Sequence, residues 1–293
     1  MIKGKNNIYL VLIIVNSILQ TIAHNNKNWY YCYWKKGELN KKKAVILGLD
    51  KVDSENAISF LCKGIILSKL DFKVDVFYDA AQEEMDAEKD KHIRENCPNL
   101  TLHKLDNYIS DECKKYIEEA DILIVNPMPY SINELDYLVS TEHHIYFDLT
   151  GLPEYKSEYQ LFAKNGYFVF LDNTDILDSL DVLKDIVSKK AKYAAIFDIS
   201  GSVNIISKKT GMDYISLSTE PTQKNFYFLA SIFLAGLIYS LENKYNLSES
   251  MRISTTLVDL IQKLLSKSLS GINSEILLEE YKKEFESLLD EQN

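Results

Sequence analysis

Seven polar residues that follow short apolar runs, Asp50, Asp53, Asn126, Asp148, Asp172, Asn173 and Asp198, are the first in this sequence able to carry chemistry. A carboxylate so placed can take a proton from a hydroxyl or hold it by hydrogen bonds, whereas an amide can only hold it. A second candidate is the stretch "STEPTQKNFYFLASIFLAGLIYSL", residues 218–241, in which a polar opening runs into an apolar helix. Backbone N–H groups at a helix start are unpaired and attract anions. Thr222, Gln223, Lys224 and Asn225 stand at that start. Asp and Asn after strands also make turns and helix caps, so the set, more than any one member, outlines a face. The four cysteines, Cys32, Cys62, Cys97 and Cys113, form no CxxC pair, and the adjacent His143 and His144 point to opposite faces of a strand. Cys62 and Cys113 fall in helical patterns and read as buried thiols.

The elements that must position these residues alternate. "AVILGL" reads as a buried strand, "AISFLCKGIILSKL" as a helix and "KVDVFY" as a strand. A solvated helix over residues 81–96, an exposed strand "LTLHKLD" and a helix "SDECKKYIEEA" opening on a Ser cap come next. "DILIVNPMP", "HHIYFDLTG", "YFVFLDN" and "YAAIFDISG" are further strands, separated by helices at residues 131–140, 157–166 and 176–190. A Gly-turned hairpin over residues 203–217 precedes the long apolar helix, placed at about 223–241, and helices at 248–270 and 274–289 close the chain. Regular alternation of this kind predicts an α/β fold: a doubly wound, mostly parallel sheet with helices on both faces. In such sheets ligands bind at the carboxyl ends of the strands, near the switch point. That is where the polar residues named above fall.

The chain has 293 residues and a net charge of −10, so no basic surface for a nucleic-acid backbone follows from its totals. Residues 1–23, with Lys3 and Lys5 ahead of an apolar run, read as a secretory signal peptide. Residues 24–43 form a lysine-rich linker or transit-like segment, and the folded domain is expected over 44–293. Entry to the secretory pathway, with an apicoplast or another organelle as destination, follows as an expectation, with no stable membrane span after cleavage. "NLT" at Asn99 and "NLS" at Asn246 are possible glycan acceptors on that route. The many tyrosines, 19 of them, suit a protein interface.

The order of elements, ending in a hairpin, a polar segment and a long helix with small residues, resembles the ribokinase-like (pfkB-type) carbohydrate kinases. In that family a DTTGAGDxFxAG signature lies at this place. Its glycines form an anion hole for the transferred phosphoryl group, and its Asp is the base on the sugar hydroxyl. Here "TEPTQKNFYFLA" puts Thr222, Gln223 and Lys224 at the GAG positions and Asn225 at the Asp, with Tyr227 for Phe. The N-terminal GGxxxNxAxxLxxLG motif maps onto residues 57–71, with Ala57 and Ile58 for the diglycine, Cys62 for the substrate-binding Asn and Asp71 for the closing Gly. DxNxR survives as Asp148, and the metal-associated NxxE as Asn173, Asp175 and Ile176. TxGxxG becomes Ile196, Asp198 and Gly201.

The resemblance implies a nucleotide and phosphate site at Asp198, Gly201, Thr222, Gln223, Lys224 and Asn225, a substrate pocket at Asp50, Asp53, Cys62 and Asp148, and a metal position at Asn173 and Asp175. The short stretch between the first strand and helix implies that the substrate lid is missing, as in vitamin kinases and NAD(P)HX dehydratases. Loss of the base, the anion hole, the diglycine and the metal acid together implies a catalytically inactive member, with no cofactor, in a structural or regulatory role beside a protein partner. Fructokinase-like subunits of plastid transcription complexes are an analogy. The alternative is a divergent active kinase using ATP and Mg, with Asp198, Asp148 or Asp53 as base and Lys224 on a phosphate.

Overall fold

The computed structural model describes residues 41–48, 55–79, 97–105, 109–126, 130–150, 165–172, 179–188, 190–218, 220–222 and 225–266. The leader over residues 1–40, the helices expected over 81–96 and 274–289, and residues 157–164 of the helix expected over 157–166 lie outside them, and residues 165 and 166 form a turn. Among the described residues nine strands form one sheet: β1 (Lys43–Leu47), β2 (Lys73–Asp79), β3 (Leu100–Leu105), β4 (Ile122–Val125), β5 (His144–Asp148), β6 (Phe168–Asp172), β7 (Tyr193–Phe197), β8 (Ser202–Ser207) and β9 (Gly211–Ser216). Their spatial order is β3-β2-β1-β4-β5-β6-β7-β8-β9. Strands β1 to β7 pair in parallel, and β8 and β9 are added antiparallel. From β1 the chain builds outward to β3, then crosses back to place β4 on the other side of β1. That reversal is the switch point of a doubly wound sheet.

Strands β1 and β4 to β7 are continuous apolar runs because both of their faces are covered. On one face Ala44, Ile46, Val74, Val76, Ile122, Ile124, Phe168, Phe170 and Phe197 pack against α1 (Glu55–Lys69), α5 (Phe226–Glu242) and α6 (Leu247–Ser266). On the other face Val45, Leu47, Leu123, Phe147 and Val169 meet α2 (Asp111–Glu118), α3 (Ile132–Ser140) and α4 (Ser179–Ser188). Helices α2 and α3 start where the sequence supplies caps. The Ser110 hydroxyl accepts the Cys113 N–H at 3.2 Å, and Ser131 with Glu134 completes a reciprocal capping box. Helix α5 is apolar almost all round because it is a core element between α1 and α6, and all but Tyr227 and Phe228 of its residues are buried.

Two helical glycines mark close packing, one against the backbone of a neighbouring helix and one against a side chain of β2. A methyl group at Gly236 of α5 would stand 2.8 Å from Ser254 Cα of α6, and one at Gly64 of α1 would stand 3.1 Å from Val76 Cγ2. The long helix begins at Phe226, three residues later than periodicity suggested, because the polar segment ahead of it makes a turn of its own. "LTLHKLD" was expected to be exposed, yet β3 buries Leu100 and Leu105 at its ends.

Candidate functional site

The carboxyl ends of three neighbouring strands place Asn126 after β4, Asp148 at the end of β5 and Asp172 at the end of β6, all on the α1/α5 face of the sheet. They are buried, with Asp148 only 2% exposed. Strand pleating explains the shared face: Ile122 and Ile124, Tyr146, and Phe168 and Phe170 precede them at two-residue spacing and belong to that core layer.

Into this row reaches a residue the sequence reading passed over, Lys63 of α1, itself 1% exposed. Its ammonium donates to Asn126 Oδ1 at 2.7 Å and to Asp148 Oδ2 in a tight ion pair. The remaining polar atoms of the two partners are engaged by the fold. Asp148 Oδ1 accepts the Thr150 hydroxyl at 2.7 Å and its N–H at 3.2 Å, and Asn126 Nδ2 donates to the Leu47 carbonyl at 3.0 Å. Burial draws the Lys63 pKa down to about 7, against a smaller opposing influence of Cys62. Cys62, expected in the substrate pocket, is buried in the α1 core layer. Burial pushes its thiol up to about 12 despite the neighbouring Lys63 charge. A helical signal could have found Lys63, since it stands four and seven residues before Leu67 and Leu70 and so shares their buried stripe.

At the start of α5 the Asn225 side chain turns back on its own loop. Its Oδ1 accepts the Thr222 N–H at 2.6 Å and the Thr222 hydroxyl at 2.9 Å, while the Asn225 and Phe226 N–H groups donate to the Thr222 carbonyl at 3.0 and 2.9 Å. The Thr222 amide proton that could face an anion is thus already used. Asp198 and Gly201, also expected at a nucleotide site, shape the β7–β8 turn. Asp198 Oδ1 accepts the Ser200 N–H at 2.8 Å, and the Gly201 N–H donates to the Asp198 carbonyl at 2.8 Å. Gly201 has φ +80°, and a methyl group there would stand 2.8 Å from Pro221 Cδ, so the turn and the segment before α5 fit only around glycine. Asp71, at the resemblance's closing Gly position, keeps that position's backbone demand with φ 67°.

Asp50, Asp53, Asn173, Asp175, Gln223 and Lys224 lie outside the described residues. Among the described residues no group of three His, Cys, Asp or Glu side chains is arranged to hold a metal ion. Of the backbone N–H groups expected at a phosphate site here, those of Thr222 and Asn225 are described, and both are held by hydrogen bonds within the turn.

At the opposite, amino end of the sheet lies a polar knot that was not anticipated. Glu242, closing α5, accepts from His144 Nδ1 and from the Tyr146 hydroxyl, both at 2.8 Å, and from the Lys42 ammonium at 2.8 Å. Burial opposes the Glu242 charge, but those hydrogen bonds, with the Lys42 charge, outweigh it and hold the carboxyl at about 2. His144 stacks on Tyr167 at 4.0 Å, so it is a structural residue.

No protein-family model matches this sequence, and no curated protein matches it either. Its fold is similar to solved structures. A ribokinase from Thermotoga maritima aligns over 82% of this chain and 99% of its own with a TM-score of 0.59 at 10% identity. A microbiome-derived acarbose kinase, Mak1, aligns over 78% of this chain and 99% of its own with a TM-score of 0.56 at 13% identity. A ribokinase from Arabidopsis thaliana, complexed with ribose and ATP, aligns over 83% and 99% with a TM-score of 0.57 at 9% identity. Identities this low speak for the fold alone.

Proposed function

We propose that this chain, which has the ribokinase-like carbohydrate-kinase fold, is a non-catalytic member of that structural class acting as a structural or regulatory subunit beside a protein partner. The observation that carries the reading is the Asn225 amide, folded onto the Thr222 N–H and hydroxyl at the head of α5. A group at that place must accept a proton from the attacking hydroxyl, and a carboxamide oxygen is too weak a base to do so at neutral pH. The alternative, a divergent kinase using ATP and Mg, needs a substitute base. Of the three candidates, Asp148 is paired with Lys63 and Asp198 caps its own turn, while Asp53 lies outside the described residues.

A partner is supported by β9, the last strand of the sheet among the described residues, where Met212 is 54% and Tyr214 62% exposed. Among the described residues no helix is long and apolar enough to cross a membrane. An organellar setting rests on the leader-like residues 1–43 alone. The test is calorimetric titration of the folded protein with Mg-ATP and Mg-ADP. The expected result is no heat of binding. A Kd tighter than about 100 μM, near −5.5 kcal/mol, would instead establish a working nucleotide site and sink the reading.

A further inference from the structure

A lysine 1% exposed that joins two strand ends is unusual, because an ammonium leaves water at high cost unless acceptors meet it. Here they do, and they come from far apart in sequence: Asn126 and Asp148 lie 63 and 85 residues from Lys63. The site has the features of a recognition pocket for a cation. It offers a buried carboxylate for charge, an amide oxygen for direction at 2.7 Å, and a second layer that fixes both acceptors, Thr150 on Asp148 and the Leu47 carbonyl on Asn126. It also lies on strands β4 and β5, beside the switch point, where folds of this class take their ligands.

We infer that the Lys63 ammonium is a tethered ligand: the ends of β4 and β5 form a primary-ammonium site, and helix α1 fills it from inside the fold. With Lys63 in place every side-chain polar atom of Asn126 and Asp148 has a hydrogen-bond partner within the fold. The inference rests on the reading of this row as the crevice of a ribokinase-like sheet, and it deepens the non-catalytic proposal by naming what occupies the crevice.

Cutting the tether tests it. Lys63→Ala deletes Cγ, Cδ, Cε and Nζ, the heavy atoms of n-propylammonium. The thermal midpoint of the full chain is measured for wild type, Lys63→Ala and Lys63→Ala/Asp148→Asn in about 50 mM n-propylammonium chloride, with tetramethylammonium chloride and sodium chloride as controls. The expected result is a rise of roughly 2 °C or more with n-propylammonium in Lys63→Ala alone, lost when Asp148 is also neutralised. Tetramethylammonium has no N–H to donate and should give no rise. Equal responses to all three salts, or equal responses of wild type and variant, would overturn the inference. If Lys63→Ala does not stay folded, the yield on dilution from urea reads the same question: n-propylammonium alone should raise it, and equal yields in the three salts refute the tethered-ligand reading. Nucleotide is absent throughout, so binding of Mg-ATP by the wild type would defeat the non-catalytic proposal without deciding this one.

Discussion

At the scale of single residues, the chemistry of this chain is set by which side chains have lost contact with water. Cys62 and Cys113 are both held at about 12 by burial, Cys113 with a smaller push from Glu112, and Cys97 is raised by burial as well. A thiol so protonated is a poor nucleophile. Reaction with a disulfide reagent at pH 8 should leave these three cysteines unmodified in the native chain and modify them in denaturant; rapid labelling of any of them in the native state would contradict the burial described. Asn225→Asp restores a carboxylate at the head of α5, but the new oxygens inherit the Thr222 N–H and hydroxyl as partners. The variant should therefore bind Mg-ATP no better than wild type by calorimetry, and a gain of phosphoryl transfer would show that the turn opens readily.

Two element-scale predictions concern glycines. Gly236 lets α5 and α6 meet at 2.8 Å from a missing methyl to Ser254 Cα, and backbone on both sides leaves nothing flexible to yield. Gly236→Ala should cost about 2–3 kcal/mol as overpacking, read as a fall in the urea midpoint with little change in m. Gly201→Ala meets both a positive φ and Pro221, and about 1–3 kcal/mol is expected by the same measurement. Most elements were legible because buried parallel strands and a core helix leave long apolar runs, as in "YFVFLDN" and "FYFLASIFLAGLIYSL". Asn126 and Asp148 could be read from their places after such runs. Lys63 and Glu242 could not be read that way, because a charged residue in a helix is ordinarily solvated, and only tertiary contacts 85 and 98 residues away explain their burial. Asp75 belongs with them: buried in β2, it meets His103 of β3 at 2.7 Å, and its Oδ2, without a hydrogen bond, faces the Lys43 ammonium at 3.9 Å, contacts that alternation in "KVDVFY" does not reveal.

For the molecule as a whole, the Glu242 knot joins the residue ahead of β1, the start of β5 and the end of α5. Its carboxyl sits at about 2 in the folded chain against 4.5 as an ordinary carboxylate, so on acidification the unfolded chain takes the proton first. The stabilisation is fully present above about pH 4.5 and is lost as pH falls towards 2. Glu242→Gln should flatten that part of the stability curve, measured by urea unfolding between pH 5 and 2.5; an unchanged slope would remove the knot from the account.

Lys42 and Glu242 are 200 residues apart, and that distance governs how the chain emerges during synthesis. By Ser216 all nine strands described have been made, but α5, which begins at Phe226, and α6 behind it have not. Ile124, Phe168, Phe170 and Phe197 then form a bare apolar wall until the last part of the chain arrives. Nascent chains of this protein stalled just past β9 should be bound tightly by chaperones and released once α6 is out.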